Sequence, residues 1–426
     1  MAAPHRVQNQ SRSTMNLLIQ MAWRNIWRSP WRSGVVVGAM ALGVWAGVFM
    51  MGLAQGVNAA RTAAALDDYV GHAQVTDSNF VANQEVQALL GQPELWAAAL
   101  DAHPGVEAWS ERVVLTAVLQ AGAASAPVQV LAVDPERESR VFTAPRHVVE
   151  GRLGSEGITL GQKLAEQLGA GLGDRVVLTF QDVRGEIHTV LFAVEGVYDG
   201  VSNLVEGVQV YAPLAALAPE LMGGDSLVQG RGAVHQIHFR VRNLDSLDAT
   251  VAELRGAVAQ PGSAIVRTWR EISPDLSYAD EVLAQSLLLF MAVILFAMAF
   301  GILNTMLMAI LERTRELGML MAIGLTRRKV FRLVVWETLL LSFAGMPLGL
   351  LLGHVTIAVT SRTGITIEGV DKGLAEFGLQ STIYPVSVPE YYLPIAVLVA
   401  VLGLLSSLYP ARKALKLNPI ESMRVL

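Results

Sequence analysis

The residues of this chain whose types and spacing suit a functional task lie in Glu312-Arg-Thr-Arg-Glu-Leu-Gly-Met-Leu-Met-Ala-Ile-Gly-Leu-Thr-Arg-Arg-Lys-Val-Phe331. Leu317, Leu320, Met321 and Leu325 recur at helical spacing, and Glu312, Arg313, Arg315, Glu316, Arg327 and Arg328 flank them. A short helix of this design docks one apolar face in a groove while its charges fix register. Gly318 and Gly324 permit close packing and a turn. The pattern suits docking on a partner, not bond-making; the alternative is a set of charges that only flank a membrane. The other candidates for chemistry are weak. No Gly-x-x-x-x-Gly-Lys-Ser/Thr occurs, so the chain is not expected to hydrolyse ATP by itself. Leu168-Gly-Ala-Gly-Leu-Gly-Asp174 departs from the dinucleotide pattern and reads as a helix end turning into a strand at Val176. His235 and His238 are the one close histidine pair; on a strand they face opposite sides, so no metal site is expected. With no cysteine there is no disulfide, thiolate ligand or thiol nucleophile, and no catalytic residue is assigned.

The elements that must position the charged segment are apolar. The chain has 426 residues, 52% of them hydrophobic and 16% charged, with a mean hydropathy of +0.43. That balance fits a membrane protein carrying a sizeable soluble domain. Four runs lack charge over a spanning length: Gly34–Ala60, Val282–Leu311, Thr338–Ser361 and Tyr391–Ala411. A bilayer core takes about 20 apolar residues in a helix. The second run would be roughly 45 Å long at 1.5 Å per residue, which predicts a helix continuing outward as a stalk.

Basic residues orient the spans. Residues 1–33 carry Arg6, Arg12, Arg24, Arg28 and Arg32 with no acid, and the loop 312–337 and the tail 412–426 are also rich in Arg and Lys. The loop 362–390 is acidic by comparison. Both termini and 312–337 are therefore expected in the cytoplasm. Segment 61–281 is expected outside; its 15 basic against 29 acidic residues, a net of −14, argue against a nucleic-acid partner. The first run is too long for the apolar part of a cleaved signal and reads as an uncleaved anchor.

The fold class that follows is an α-helical membrane protein with four transmembrane helices plus a large α+β extracytoplasmic domain inserted between helices 1 and 2. The expected order is 1–33, a cytoplasmic N-terminal interfacial helix; 34–60, helix 1; 61–281, the outside domain; and 282–311, helix 2 with its stalk. After these come the cytoplasmic coupling loop 312–337, helix 3 at 338–361, a short outside loop 362–390, helix 4 at 391–411 and a cytoplasmic tail 412–426. In Met15–Arg32, Trp and Arg alternate as in a helix lying at a membrane surface, with Pro30 ending it. In the outside domain, strands are predicted at Val113–Gln120, Val128–Val133, Val176–Phe180, Thr189–Val197, Val208–Tyr211 and Ile237–Val241. Helices are predicted at Gln84–Ala102, Gly161–Leu168 and Ser246–Ala257, with a hairpin turn at Asp182-Val-Arg-Gly185. Glycines four apart (Gly34/Gly38, Gly43/Gly47, Gly52/Gly56 and Gly345/Gly349/Gly353) allow close helix approach, within one subunit or between two. Pro347 is expected to kink the third span.

The charged segment and the closing Tyr409-Pro-Ala-Arg-Lys-Ala-Leu-Lys-Leu-Asn-Pro-Ile-Glu-Ser-Met-Arg424 resemble the cytoplasmic signatures of one permease family. It is the ABC permeases of the macrolide-exporter, lipoprotein-release and cell-division type. Thr159–Leu178 also resembles a recurring part of that family's outside domain. The resemblance implies a dimer with a second permease subunit, identical or different, and a cytoplasmic ABC ATPase dimer bound at the loop between spans two and three. It implies mechanotransmission, in which ATPase closure is relayed to the outside domains. ATP and Mg2+ would be bound by the partner ATPase, and no cofactor by this chain. ATPase coupling falls on Glu312, Arg313, Arg315, Glu316, Leu317, Gly318, Leu320, Arg327 and Arg328. With 33 residues ahead of the first span, a separate ATPase is expected, as in lipoprotein-release systems. The short hairpin Gln181–His188 makes the chain resemble the subunit that does not recruit a periplasmic carrier, or a homodimeric relative. A substrate groove for a lipoprotein or other amphiphile would be lined by Met40, Val44, Phe49, Phe290 and Met291, residues that lipid contact or packing explains equally well. The expected location is the bacterial inner membrane. Two functions stand: extraction of a lipid-anchored or amphiphilic substrate, or efflux or signalling through an outside adaptor or cell-wall hydrolase.

Overall fold

Charge and hydropathy sort the chain into two units. A computed structural model describes residues 17, 19–143, 146–199, 207–223, 234–257, 263–366 and 382–415. One unit holds the long apolar helices, and the other centres on Asn58–Asp280. The first half of the interfacial helix, most of the 362–390 loop and the tail beyond Leu415 lie outside the described residues.

In the helical unit four helices are long and apolar enough to cross a membrane. They are Pro30–Ala65, Pro274–Glu312, Arg327–Thr363 and Tyr392–Leu415. Ahead of them runs a helix over 19–28, and the break falls at Ser29. Pro30 therefore opens the first long helix instead of closing the one before it, the position where a missing N–H costs nothing. The second long helix runs unbroken from Pro274, well ahead of its apolar run. The third starts at Arg327 and not near Thr338, so Arg327, Arg328, Lys329, Arg332 and Glu337 sit on its first turns. Pro347 lies inside that helix without interrupting it.

The glycines seat the helices on each other. A Cβ on Gly345, Gly349 or Gly353 would run into Met40, Val44 or Val48 of the first long helix, and one on Gly403 into Ser342. This stripe packs within one chain. Gly34 and Gly38 have nothing within reach of an added Cβ among the described residues.

The second unit is built on one ten-stranded mixed sheet. Its strands are β1 (Ala73–Asp77), β2 (Val106–Ala121), β3 (Ala124–Val133), β4 (Val148–Gly151), β5 (Ile158–Gly161), β6 (Arg175–Gln181), β7 (Ile187–Tyr198), β8 (Gln209–Pro213), β9 (Gln236–Val241) and β10 (Ala264–Thr268). They lie in the order β10-β1-β9-β2-β3-β8-β5-β7-β4, with β6 paired to β2 and β7. The predicted strands all appear, most of them longer than expected, and β8 starts one residue later, at Gln209. β1, β4, β5 and β10 were not expected; each is only four or five residues long, too short for a periodic signal. The hairpin at Asp182–Gly185 forms as expected: Asp182 Oδ1 accepts from the Arg184 and Glu186 amides, each at 2.8 Å, and Gly185 takes φ +88°. Helices form at Gln162–Leu168 and Leu247–Ala257, but the expected helix Gln84–Ala102 is only Pro93–Ala102. Pro93 sets its start. Upstream, Asp77 instead caps a short helix, Ser78–Asn83, and Gln84 ends it with φ +54°.

Two cores form, one around Val113, Leu115, Val128, Leu160 and Leu178, the other around Val75, Trp96, Phe239, Val251 and Val266. In the second, the odd positions of β1, β2 and β9 pair across the sheet with the even positions of β10 to make the apolar face. The other face is polar yet buried. It holds Gln74, Ser110, Arg112 and His238.

Candidate functional site

The charged segment folds as a nine-residue surface helix, Thr314–Ala322, between the second and third long helices. Gly324, at φ +110°, makes the turn out of it, and extended Thr326 starts the third long helix. Leu317 and Gly318 are buried. Leu317 packs on Ile310, Val330, Val334 and Ala411, with Leu320, Met321 and Leu325 around them. The apolar face that was expected to dock in a partner's groove is therefore turned onto this chain's own helices, and Leu317, Gly318 and Leu320 are seating residues.

What faces outward is a second stripe. Arg315, Met319, Ala322 and Ile323 are exposed at positions i, i+4, i+7 and i+8, followed by exposed Arg327 and Arg328. Ile323 is 84% exposed and Met319 45%. This spacing was present in the sequence but was masked by the stronger Leu pattern on the opposite face.

An ion-pair chain holds the surface helix at its start. Arg313 Nε lies 3.2 Å from Glu316 Oε2, and its Nη1 3.2 Å from Glu337 Oε1 on the third long helix. Glu316 Oε1 also meets Arg28 Nη2 at 2.8 Å, tying in the 19–28 helix. Beneath them a cavity of about 20 Å3, large enough for one water, is lined by Asn25, Arg313 and Glu337 among others. Glu312 is exposed. Arg28 and Glu337 were missed by sequence reasoning because partners distant in the chain leave no local signal. The Arg28 side chain is mostly exposed, so Arg28→Ala is expected to change stability by at most about 1 kcal/mol. Amide exchange across Thr314–Ala322 should stay near wild type; a large rise would overturn that ranking.

Four of the five groove candidates come together in one packed cluster and do not line an open groove among the described residues. Met40, Val44 and Met291 are buried in the packing of the helical unit, Met40 and Val44 beneath the glycine stripe. Phe49 is partly buried and stacks on Trp45 with centroids 6.1 Å apart. Phe290 points outward. Three of the five are thus core residues, as their apolar character equally allowed.

In the sheet unit, His235 accepts from the Val114 amide at Nδ1 and meets the Val86 carbonyl at Nε2, 2.9 Å away. His238 Nε2 meets Gln236 Oε1 at 3.0 Å. Burial pushes both imidazoles below their ordinary pKa, and Arg112 adds to the effect at His238. No cluster of three or more metal-ligating side chains occurs among the described residues.

Residues 33–257 match the MacB-like periplasmic core domain family, and 288–419 match the FtsX-like permease C-terminal family. The chain belongs to the MacB/FtsX-type ABC permeases. The macrolide export ATP-binding/permease protein MacB of Syntrophobacter fumaroxidans is 27% identical over 204 residues, 45% of this permease and 26% of that protein. The lipoprotein-releasing system transmembrane protein LolE of Haemophilus influenzae is 25% identical over 342 residues, 76% of the permease and 78% of LolE. The permease spans about a quarter of the length of the macrolide-export relatives it matches. The periplasmic region of MacB from Actinobacillus actinomycetemcomitans aligns with a TM-score of 0.35 at 12% identity, over 50% of this chain and 95% of that one. The permease is thus a multi-pass membrane protein with a MacB-like domain of mixed α and β structure.

Proposed function

We propose that the permease couples ATP hydrolysis by a separate cytoplasmic ATPase dimer to motion of its MacB-like domain outside the membrane, extracting a lipoprotein or other amphiphile from the inner membrane. It works as a dimer with a second permease subunit, identical or different, and both termini and the surface helix are cytoplasmic. ATP and Mg2+ belong to the ATPase. The surface helix is the docking element, and the second long helix, with its stalk, is the lever.

The observation that carries this reading is the exposed stripe Arg315–Met319–Ala322–Ile323, presented by a helix whose opposite face is anchored on the membrane helices. An apolar strip rimmed by arginines suits a shallow groove with an acidic edge. Anchoring on the other face lets displacement pass to the third long helix through Leu317 and Arg313. Lipoprotein release is preferred over macrolide export because the resemblance to LolE extends over most of both chains, whereas that to MacB covers a fraction of the exporter.

The test is Ile323→Asp in the tagged permease, solubilised mildly from native membranes. At least a tenfold loss of co-purified ATPase is expected, with the permease itself recovered normally. Retention at the wild-type level would reject the docking surface. Triacylated lipoproteins co-purifying with the wild type support release; a membrane-fusion adaptor in their place would move the assignment to efflux.

A further inference from the structure

The polar face of the sheet encloses a cavity of about 220 Å3. Its floor is a row of cross-strand neighbours: Arg267 on β10 faces Gln74 on β1, which faces His238 on β9, which faces Ser110 on β2. One step along, Gln236 faces Arg112, and Gln129 on β3 faces Gln209 on β8. Arg112, Arg267, His238 and five glutamines (Gln74, Gln84, Gln129, Gln209 and Gln236) line the space, with Tyr69 and Phe80 on its walls. A sheet face built this way forgoes the apolar burial that neighbouring strands use, so it needs another reason to exist.

The chemistry of the lining is one-sided. Among the described residues no carboxylate lines the cavity, and both charged residues are cations. Arg112 is neutralised by buried Glu138, which it meets through Nε at 2.8 Å. Arg267 instead donates to the Glu271 carbonyl, while the Glu271 carboxylate is taken by the Thr268 amide at 2.9 Å and Arg255 at 3.3 Å. One guanidinium therefore faces the cavity without a carboxylate. Two buried atoms, His238 Nδ1 and Gln209 Oε1, have no hydrogen-bond partner among the described residues. His238 Nδ1 lies beside the Val70–Gly71 backbone, so the acceptor offered to a ligand is Gln209 Oε1. The His238 side chain is 97% buried, its exposure being 3%. A fitting ligand thus brings one anionic group for Arg267 and a neutral N–H donor for Gln209 Oε1. At 220 Å3 the cavity lies below the roughly 300–1,000 Å3 of drug-sized sites, close to the size of a single amino acid. Gln84 sits at the edge, held at φ +54°, a backbone state that non-glycine residues seldom adopt.

We propose that this cavity binds a small carboxylate with an adjacent amide N–H, either a free N-acyl amino acid or the C-terminal end of a peptide. The carboxylate pairs with Arg267, the amide donates to Gln209, and the remaining glutamines close around the backbone atoms. This site is independent of the ATPase-docking surface and of the transported substrate.

Calorimetric titration of the full chain in detergent tests it, with N-acetylalanine, N-acetylalaninamide and N-acetyl-trialanine as probes. N-acetylalanine should bind at least tenfold more tightly than its amide, which lacks the carboxylate. Arg267→Met should remove that preference. Gln84→Gly, which suits the backbone at that position, should keep the fold and weaken binding several-fold. Binding of the tripeptide as well assigns a peptide end, and its exclusion a free N-acyl amino acid. Equal binding of acid and amide, or no heat from any of the three, overturns the proposal.

Discussion

Glu138→Ala should destabilise the MacB-like domain by about 3–5 kcal/mol, the cost of leaving a buried charge without its partner. Glu138 has no exposed surface and Arg112 only 4%. The carboxylate takes Arg112 at Oε1 and the Ser110 hydroxyl at Oε2, 2.7 Å away, while the guanidinium lies 3.7 Å from the centre of the Phe142 ring. Removing the carboxylate leaves the buried Arg112 guanidinium without its counter-charge. Glu138→Gln, which keeps a hydrogen-bond acceptor but loses the charge, should fall between wild type and alanine. Amide exchange in β2 and β9 reads the effect locally, because both strands carry residues of this network. Protection equal to wild type in Glu138→Ala would show that the pair contributes little.

Gly349→Ala should destabilise the helical unit by about 1–3 kcal/mol, as expected for forcing atoms into a filled seam. A Cβ at Gly349 would stand 2.6 Å from the Ala41 carbonyl oxygen and from the Val44 Cβ, and neither can swing aside. The same exchange at Gly38 meets nothing, and alanine's better helix propensity should favour it by up to about 1 kcal/mol. Thermal unfolding of the two variants in the same detergent measures a difference of sign. If both move the midpoint in the same direction, the first and third helices are not held together by this seam.

Much of this architecture was legible because its signals are long. Charge-free runs announce spanning helices at any resolution of reading, and β-branched stretches announced the longer strands. Short elements were not. β1 and β10 are five residues each, and their character comes from pairing with β9 and with each other. The surface helix was legible from its composition, yet the face expected to be free is the one packed on this chain's own helices. Leu317 and Ile323 are both large and apolar, and only packing against Val330 and Ala411 decides which is seat and which is surface. Sequence periodicity reports that a helix has two faces; it does not say which one the same chain covers. The buried polar floor left no signal at all, since single glutamines on alternating positions read as the wet side of a sheet.

The two seams of the first long helix are made of different materials. Toward the third helix, Gly349 and Gly353 bear on branched valines, and Gly345 and Gly349 on backbone oxygens, which hold their shape. Toward the second, Gly43 and Gly47 meet only the thioether ends of Met298 and Met291, the most pliable side chains available to a core. If the surface helix takes up a load as proposed, it meets one stiff joint and one soft one. Slip would then fall at the thioether seam, with the first and third helices travelling together past the second.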